Sequence, residues 1–333
     1  TTSMVTKEWI AVHRKHHAKC EGPEDPHSPQ QVGIHRVLWG GVGLYRKEAD
    51  CQETLEKYGT GAPNDWIERH LYTGKRDLGI LLMLGIDALL FGLPAGIIIW
   101  GVQMVWIPFW AAGVINGIGH YFGYRNFETP DASRNIVPWG IIIGGEELHN
   151  NHHAYPSSPK FSFYWWEFDI AWLYIRILGA LGLARVKKAP PLHLDLRAPQ
   201  GIRNFRDLVV NHVQITAQYT RRVLIPVLRE EMRRADRSCR DLYRRARAWL
   251  LFDESLLDEK ARKALDDMLS CNQRLRTVYQ FKRQLKALWK RSSTTQEAVR
   301  SAIQEWCRQA EATGIKALQD FARSLQGLAL QGG

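Results

Sequence analysis

Polar and apolar positions divide this chain before any single residue is considered. Across residues 77–124 there is no Lys or Arg, and the only formal charges are Asp77 and Asp87. Within that stretch, residues 78–100 and 102–121 are apolar runs of 23 and 20 residues, each enough to cross a bilayer as a helix. The uncharged region at Gly101 joins them, so the pattern predicts a tight membrane hairpin over about residues 78–121. Arg69, Lys75 and Arg76 precede the hairpin, and Arg125 and Arg134 follow it. The bias of basic residues toward cytoplasmic loops therefore places both of its ends in the cytoplasm. The competing reading is a buried helical hairpin in a soluble protein.

The flanking pattern is mostly helical. Residues 4–19 read as a helix that runs into a Pro- and acid-rich turn at 21–29, and residues 30–76 read as short helices broken at Gly59, Gly61 and Pro63. The apolar patch at 136–145 is too short and Gly-rich to span a membrane. Residues 161–184 interleave Phe163, Trp165, Trp166, Trp172 and Tyr174 with Glu167, Asp169 and Arg176, a mix suited to a helix lying at the membrane interface. A linker at 189–201 holds Pro190, Pro191 and Pro199. From about residue 202 to 333 the pattern is helical and soluble, with Asp253 as an N-cap and Thr294 with Glu297 as a capping box.

Charge sharpens this division. From Arg185 onward there are 30 Lys and Arg against 16 Asp and Glu; with a total of +11, residues 1–184 are left near −3. The Arg-rich stretch from Arg221 to Arg247 admits contact with anionic lipid, docking of an acidic electron carrier, nucleic-acid binding, or simply a solvated helix face. The acids mixed into it favour the solvated face, and nucleic acid ranks last. The five cysteines are scattered with no C-x-x-C spacing, which excludes a disulfide framework and a fused ferredoxin and suits a reducing, cytosol-facing setting.

The candidate chemistry lies in the histidines. His13-Arg14-Lys15-His16-His17 and His149-Asn150-Asn151-His152-His153 are two H-x-x-H-H clusters. On a helix, positions i, i+3 and i+4 share a face, so each cluster offers three imidazoles pointing one way. A lone His is usually a packed or surface residue, but two matching triplets have little use except metal binding. An even number of membrane crossings separates them, so both emerge on one side and can converge. His120, at the cytoplasmic end of the second apolar run, and Asn116 one turn earlier are further candidates, since polar groups in such a run are costly. Asp25, Glu146 and Glu147 are close enough in sequence to orient the ligating imidazoles.

Trp9 with the first cluster, Asp25-Pro26-His27, Asn116-x-x-x-His120 with Gly123-Tyr124-Arg125, and Glu146-x-x-His-Asn-x-His-His together resemble the membrane fatty acyl desaturases. The match covers residues 1 to about 188, and the whole chain, basic tail included, is similar to bacterial delta-9 desaturases. The resemblance implies an all-α fold: integral membrane helices, a cytosolic histidine-rich di-metal cap and, here, a basic helical C-terminal tail. It implies a catalytic core at 1–188, two iron ions as cofactor, and ligands carried over residue by residue. His16, His120, His149 and His152 would hold one iron, with Asn116 placing a water on it; His13, His17 and His153 would hold the other. His27 is not a ligand in the family.

The implied reaction is oxygen-dependent insertion of a cis double bond, at the delta-9 position, into a long acyl chain carried as acyl-CoA or acyl-lipid. Its partners are molecular oxygen, the bilayer, and an external electron donor such as ferredoxin, rubredoxin or a cytochrome with its reductase. The setting is the bacterial inner membrane, with metal site and tail in the cytoplasm. The family has an earlier histidine box at the end of a second membrane helix, which has no counterpart in residues 1–333. The expectation is therefore an N-terminally incomplete chain whose activity is open. The alternatives are a related hydroxylase using the same histidines, and a metal-free membrane interaction module.

Overall fold

The computed structural model describes residues 4–75, 77–188, 190–191, 193–194, 196, 205–235, 240, 243–244, 249–250, 252–289 and 295–331. These residues are mostly helical, and the chain divides into two units, each described by itself. The first comprises Thr1–Tyr124, Asp131–Pro156 and Lys160–Val186; the second comprises Arg125–Pro130, Ser157–Pro159 and Lys187–Gly333.

In the first unit, α1 (Thr6–Lys19) carries the first histidine cluster and α2 (Ile34–Ala49) packs against the apolar hairpin. The hairpin consists of α3 (Leu78–Phe91) and α4 (Leu93–Ile118). Its break falls at Gly92 and not at Gly101. Gly92 has φ 76°, a left-handed conformation that glycine adopts without steric cost, and Pro94 in the first turn of α4 suits a helix start but not an interior. Gly101, by contrast, sits inside α4, where nothing interrupts the backbone ladder. Among the described residues one helix, α4, is therefore long and apolar enough to span a bilayer; α3 has 14 residues, or about 21 Å at 1.5 Å per residue. Within α4 the segment Pro108–Ile115 is wound as a wider π-type turn beginning at Pro108, whose missing N–H breaks the regular ladder.

Beyond α4 the chain turns back through two one-residue bridges, Tyr124 with Asn135 and Asn135 with Leu148. These lead into α5 (His149–Ala154), the second cluster. Two short parallel strands, β1 (Trp139–Gly140) and β2 (Phe168–Asp169), pair residue for residue and precede α6 (Ile170–Ala180). The interface helix expected over 161–184 is thus confined to α6. Its N-cap is Asp169, which accepts from the Trp172 amide at 3.0 Å.

The second unit is a helical assembly: α7 (212–234, widened at Thr220–Leu224), α8 (Glu259–Cys271), α9 (Gln273–Trp289), α10 (Gln296–Ala312) and α11 (Lys316–Gln331). Its buried side is continuous, with Tyr219, Met268, Val278, Ile303 and Phe321 among its fully enclosed residues. Polar ends of the buried rings are satisfied: Tyr219 Oη donates to the Val278 carbonyl at 2.6 Å and Trp306 Nε1 to that of Phe281 at 3.1 Å. Asp253 caps the turn that follows it, accepting from the Ser255 amide at 3.0 Å. The cap of α10 is Thr295, whose hydroxyl accepts from the Ala298 amide, one residue later than the box read at Thr294, which lies outside the described residues. Three arginines of the Arg-rich stretch, Arg237, Arg245 and Arg247, also lie outside them.

Candidate metal centre

The first cluster sits on the last two turns of α1 and the second forms most of α5, so both triplets present the helical spacing their sequence implied. The structure brings them together with His120 into two groups of ligand atoms, each spanning no more than 4.8 Å: His16, His120, His149 and His153 in one, His13, His17 and His152 in the other. His152 and His153 thus exchange the places the resemblance gave them. The physical reason is the helix. On α1 the i, i+4 pair His13 and His17 stays together and the i+3 residue, His16, crosses to the other group. On α5 the i, i+4 pair His149 and His153 likewise stays together, with ring centroids 4.5 Å apart, and His152 crosses over. His152 Nε2 then lies 3.0 Å from His13 Nε2 and 2.9 Å from His17 Nε2.

The far nitrogens of four imidazoles face carboxylates. His16 Nδ1 is 2.9 Å from Asp25 Oδ1, His120 Nδ1 is 2.8 Å from Glu21 Oε1, and His153 Nδ1 is 3.1 Å from Asp131 Oδ2. His149 Nδ1 has a longer contact, 3.3 Å, to Glu146 Oε2. A carboxylate only accepts, so each of these Nδ1 atoms carries the proton and each Nε2 presents a lone pair. Those lone pairs point at one another: Nε2 of His120 lies 3.2 Å from that of His16 and 3.0 Å from that of His149. Burial holds His16, His149, His152 and His153 well below the usual imidazole range, and neighbouring histidines push the same way. Burial likewise takes His17 down to about 2.

Several unprotonated nitrogens facing each other near 3 Å repel unless a cation lies between them. Four imidazoles around one ion at about 2.1 Å would have their nitrogens about 3.4 Å apart, close to what is seen. The donor set therefore fits a divalent transition metal in each group, and imidazole suits iron among others. His153 Nε2 is buried without a hydrogen-bond partner, so its lone pair is free for a metal.

Two orienting carboxylates escaped the sequence reading. Glu21 follows α1 directly and has φ 63°, the only positive φ at a non-glycine among the described residues. That backbone, strained by roughly 1 kcal/mol, turns the side chain back over the helix end toward His120. The same carboxylate accepts from the Ala132 amide at 3.1 Å and the Ser28 hydroxyl at 2.6 Å. Asp131 is fixed by the Ser133 amide donating to Oδ1 at 3.0 Å, a turn that Asp-x-Ser spacing could have signalled.

Glu147, a candidate for that orienting role, turns elsewhere. Its Oε1 accepts from the amides of Ile141, Ile142 and Ile143 at 3.1, 2.6 and 3.1 Å, which gathers the apolar turn at 141–143. Asn116 is half-buried one helical turn before His120. Cys20 lies beside the first group, with Sγ 3.8 Å from His16 Nε2, and burial raises its thiol so that it stays protonated. His27 stacks on His16 with centroids 4.4 Å apart.

The family model described as fatty acid desaturase matches residues 1–189. The chain belongs to the fatty acid desaturase family. It is 32% identical over 191 residues to the sn-2 palmitoyl-lipid 9-desaturase of a Nostoc strain, covering 55% of this chain and 64% of that protein. The sn-1 stearoyl-lipid 9-desaturase of Synechocystis is 32% identical over 187 residues, covering 55% and 56%. The delta-9 acyl-lipid desaturase 2 of Arabidopsis thaliana is 30% identical over 187 residues, covering 55% and 58%. The chain thus spans between about half and two thirds of the length of these desaturases. They do not carry the resemblance read for the basic tail. Residues 212–329 instead match a family model described as a transposase. No solved structure matches the chain.

Proposed function

We propose that residues 1–189 are the catalytic body of a membrane acyl desaturase that inserts a cis double bond at the delta-9 position of a long acyl chain. The observation that carries this reading is the convergence of seven histidines, from segments more than 100 residues apart, into two buried groups of facing lone pairs. The names of the relatives support delta-9 chemistry and favour acyl-lipid over acyl-CoA as substrate.

His16, His120, His149 and His153 would hold one iron ion, and His13, His17 and His152 the other. Two irons supply, with dioxygen, the oxidising power needed to take hydrogen from an unactivated methylene. The protein holds four of the ligating rings, His16, His120, His149 and His153, in one tautomer through Asp25, Glu21, Glu146 and Asp131, which keeps their Nε2 atoms free for the metal. Burial keeps the rings unprotonated and excludes water from the site. Electrons come from an external donor. The apolar α3–α4 hairpin anchors the unit in a bacterial inner membrane, with the histidine groups on the cytoplasmic side.

The test is expression in a host of defined acyl composition, with iron measured on the purified chain and lipid acyl groups analysed by mass spectrometry. Two irons per chain and a new delta-9 alkene are expected. Iron-free protein with unchanged lipids would overturn the reading, and a hydroxy-acyl product would move it to hydroxylation.

A further inference from the structure

The turn that follows α1 touches two imidazoles that belong to different elements. His16 lies on α1, and His120 lies just beyond the end of α4. Asp25 is the link between them. It is only 7% exposed, and its three hydrogen-bond partners among the described residues are all N–H donors. Its Oδ1 accepts from His16 Nδ1 at 2.9 Å and from the His27 amide at 3.1 Å. Its Oδ2 accepts from the Glu21 amide at 2.9 Å. A carboxylate accepts on both oxygens, so it serves both sides at once.

The Glu21 amide is where the two imidazoles connect. Glu21 has φ 63°, a conformation that an L residue keeps only when its surroundings hold it there. Asp25 Oδ2 supplies that hold at the N–H, and Gln31 Nε2 donates to the Glu21 carbonyl at 2.7 Å. With its backbone so fixed, Glu21 sends Oε1 to His120 Nδ1 at 2.8 Å, and Ser28 Oγ donates to Oε2 at 2.6 Å. The turn reaches His120 once more, since Gln30 Nε2 donates to the His120 carbonyl at 2.9 Å. His27 stacks on His16 from the same turn, with ring centroids 4.4 Å apart. Every residue of this network belongs to the first unit.

We infer that Asp25 is a positioning residue for two ligands: it orients His16 directly, and His120 at one remove by holding the left-handed backbone that aims Glu21. The turn at 21–31 is one device, and the two imidazoles it serves are set together. The purpose of the device rests on the proposed metal centre; the coupling rests on the hydrogen bonds alone.

The ring nitrogens of 15N-labelled histidine, read by NMR on the full chain in detergent and stripped of metal, test it without turnover. In the wild type His16 and His120 should each show one tautomer, protonated at Nδ1. Asp25→Ala removes every acceptor of the link and should cost both rings that single tautomer, whereas Glu21→Gln should cost it to His120 alone. A His120 unchanged by Asp25→Ala overturns the inference. Should that variant fail to fold, Asp25→Asn decides instead. Its one acceptor oxygen is kept by the side with two donors, His16 and His27, so His120 should change although Asp25 does not touch it; an unchanged His120 again overturns the coupling. Co(II) titration adds a second readout. Asp25→Ala with Glu21→Gln should weaken binding no further than Asp25→Ala alone, because the second substitution removes a contact already lost. Losses that multiply would show two independent supports and overturn the coupling. The wild-type titration separates this inference from the desaturase reading. A wild type that takes up no Co(II), with His120 still answering to Asp25, sinks the metal centre and keeps the coupling; Co(II) uptake with His120 indifferent to Asp25 does the reverse.

Discussion

At the residue scale the group of His16, His120, His149 and His153 depends on which nitrogen of each imidazole holds the proton, and four carboxylates decide that. Asp131→Asn and Glu21→Gln can each rotate to offer an N–H where an oxygen is needed, which leaves the facing Nδ1 without its acceptor. Each substitution should weaken binding of one metal by 10- to 100-fold with the fold intact, as read by Co(II) titration followed optically. Glu147→Gln is the contrast: it should leave both affinities unchanged and loosen only the turn at 141–143, because its carboxylate faces amides and no histidine. The exchange of His152 and His153 has a sharp consequence too. His149→Ala with His153→Ala should lose the same single equivalent of Co(II) that His153→Ala loses alone, whereas His152→Ala with His153→Ala should lose both. Equal losses for the two pairs would restore the original grouping. The convergence of the seven histidines was legible, six from the spacing within their clusters and His120 from its place at the end of the apolar run, and Asp25 from its nearness in sequence. Glu21 and Asp131 were not, since one acts through a left-handed backbone and the other across 22 residues.

At the scale of elements, α2 and α4 approach so closely that only glycine fits at the crossing. A methyl on Gly41 would lie 2.2 Å from the Ala112 carbonyl oxygen, and one on Gly113 would lie 2.3 Å from that of Leu38. The two glycines are reciprocal, each admitting the partner helix's backbone. Gly41→Ala or Gly113→Ala should therefore destabilise the first unit by about 1–3 kcal/mol, the usual range for overpacking. Gly40→Ala, next to open space, should be neutral or stabilising by up to about 1 kcal/mol through helix propensity alone. Thermal unfolding in detergent distinguishes the three; equal shifts at Gly40 and Gly41 would show that backbone contact is not what selects glycine there. The apolar pattern carried the existence of the hairpin but not its turn. Hydropathy is blind to the difference between Gly92, in a left-handed turn beside Pro94, and Gly101, inside a helix. The close α2–α4 crossing was equally hidden, because a Gly-Gly pair within a helix reads as weak helix and not as a contact.

At the scale of the whole molecule, the chain joins a mildly acidic, histidine-rich unit to a basic helical one, and the basic one should have its own acid response. The helices of that second unit were legible from pattern and caps. That residues 125–130 belong to it was not, because Glu128, which pairs with the buried Lys282 at 2.9 Å, reads in sequence as one charge in a polar loop. Asp253 is a part-buried contributor to that pH dependence. Burial pushes its carboxyl up, but the Lys286 ammonium at 2.6 Å and the Ser255 contacts outweigh that and hold it at about 2, below the ordinary 3.8. A carboxylate depressed in the folded state binds fewer protons there than in the unfolded chain, so its stabilisation is complete above about pH 4. It falls away as pH drops from about 4 toward 2, where the folded group also protonates. The size, allowing for partial solvent screening, is of order 1 kcal/mol. Asp253→Asn should lower the second unit's stability by about that amount at neutral pH and flatten its pH dependence between 4 and 2. Urea unfolding followed by helical circular dichroism at pH 7, 4 and 2.5 measures both effects. A variant that loses as much stability relative to wild type at pH 2.5 as at pH 7 would show that Asp253 contributes through shape and not through its charge on Lys286.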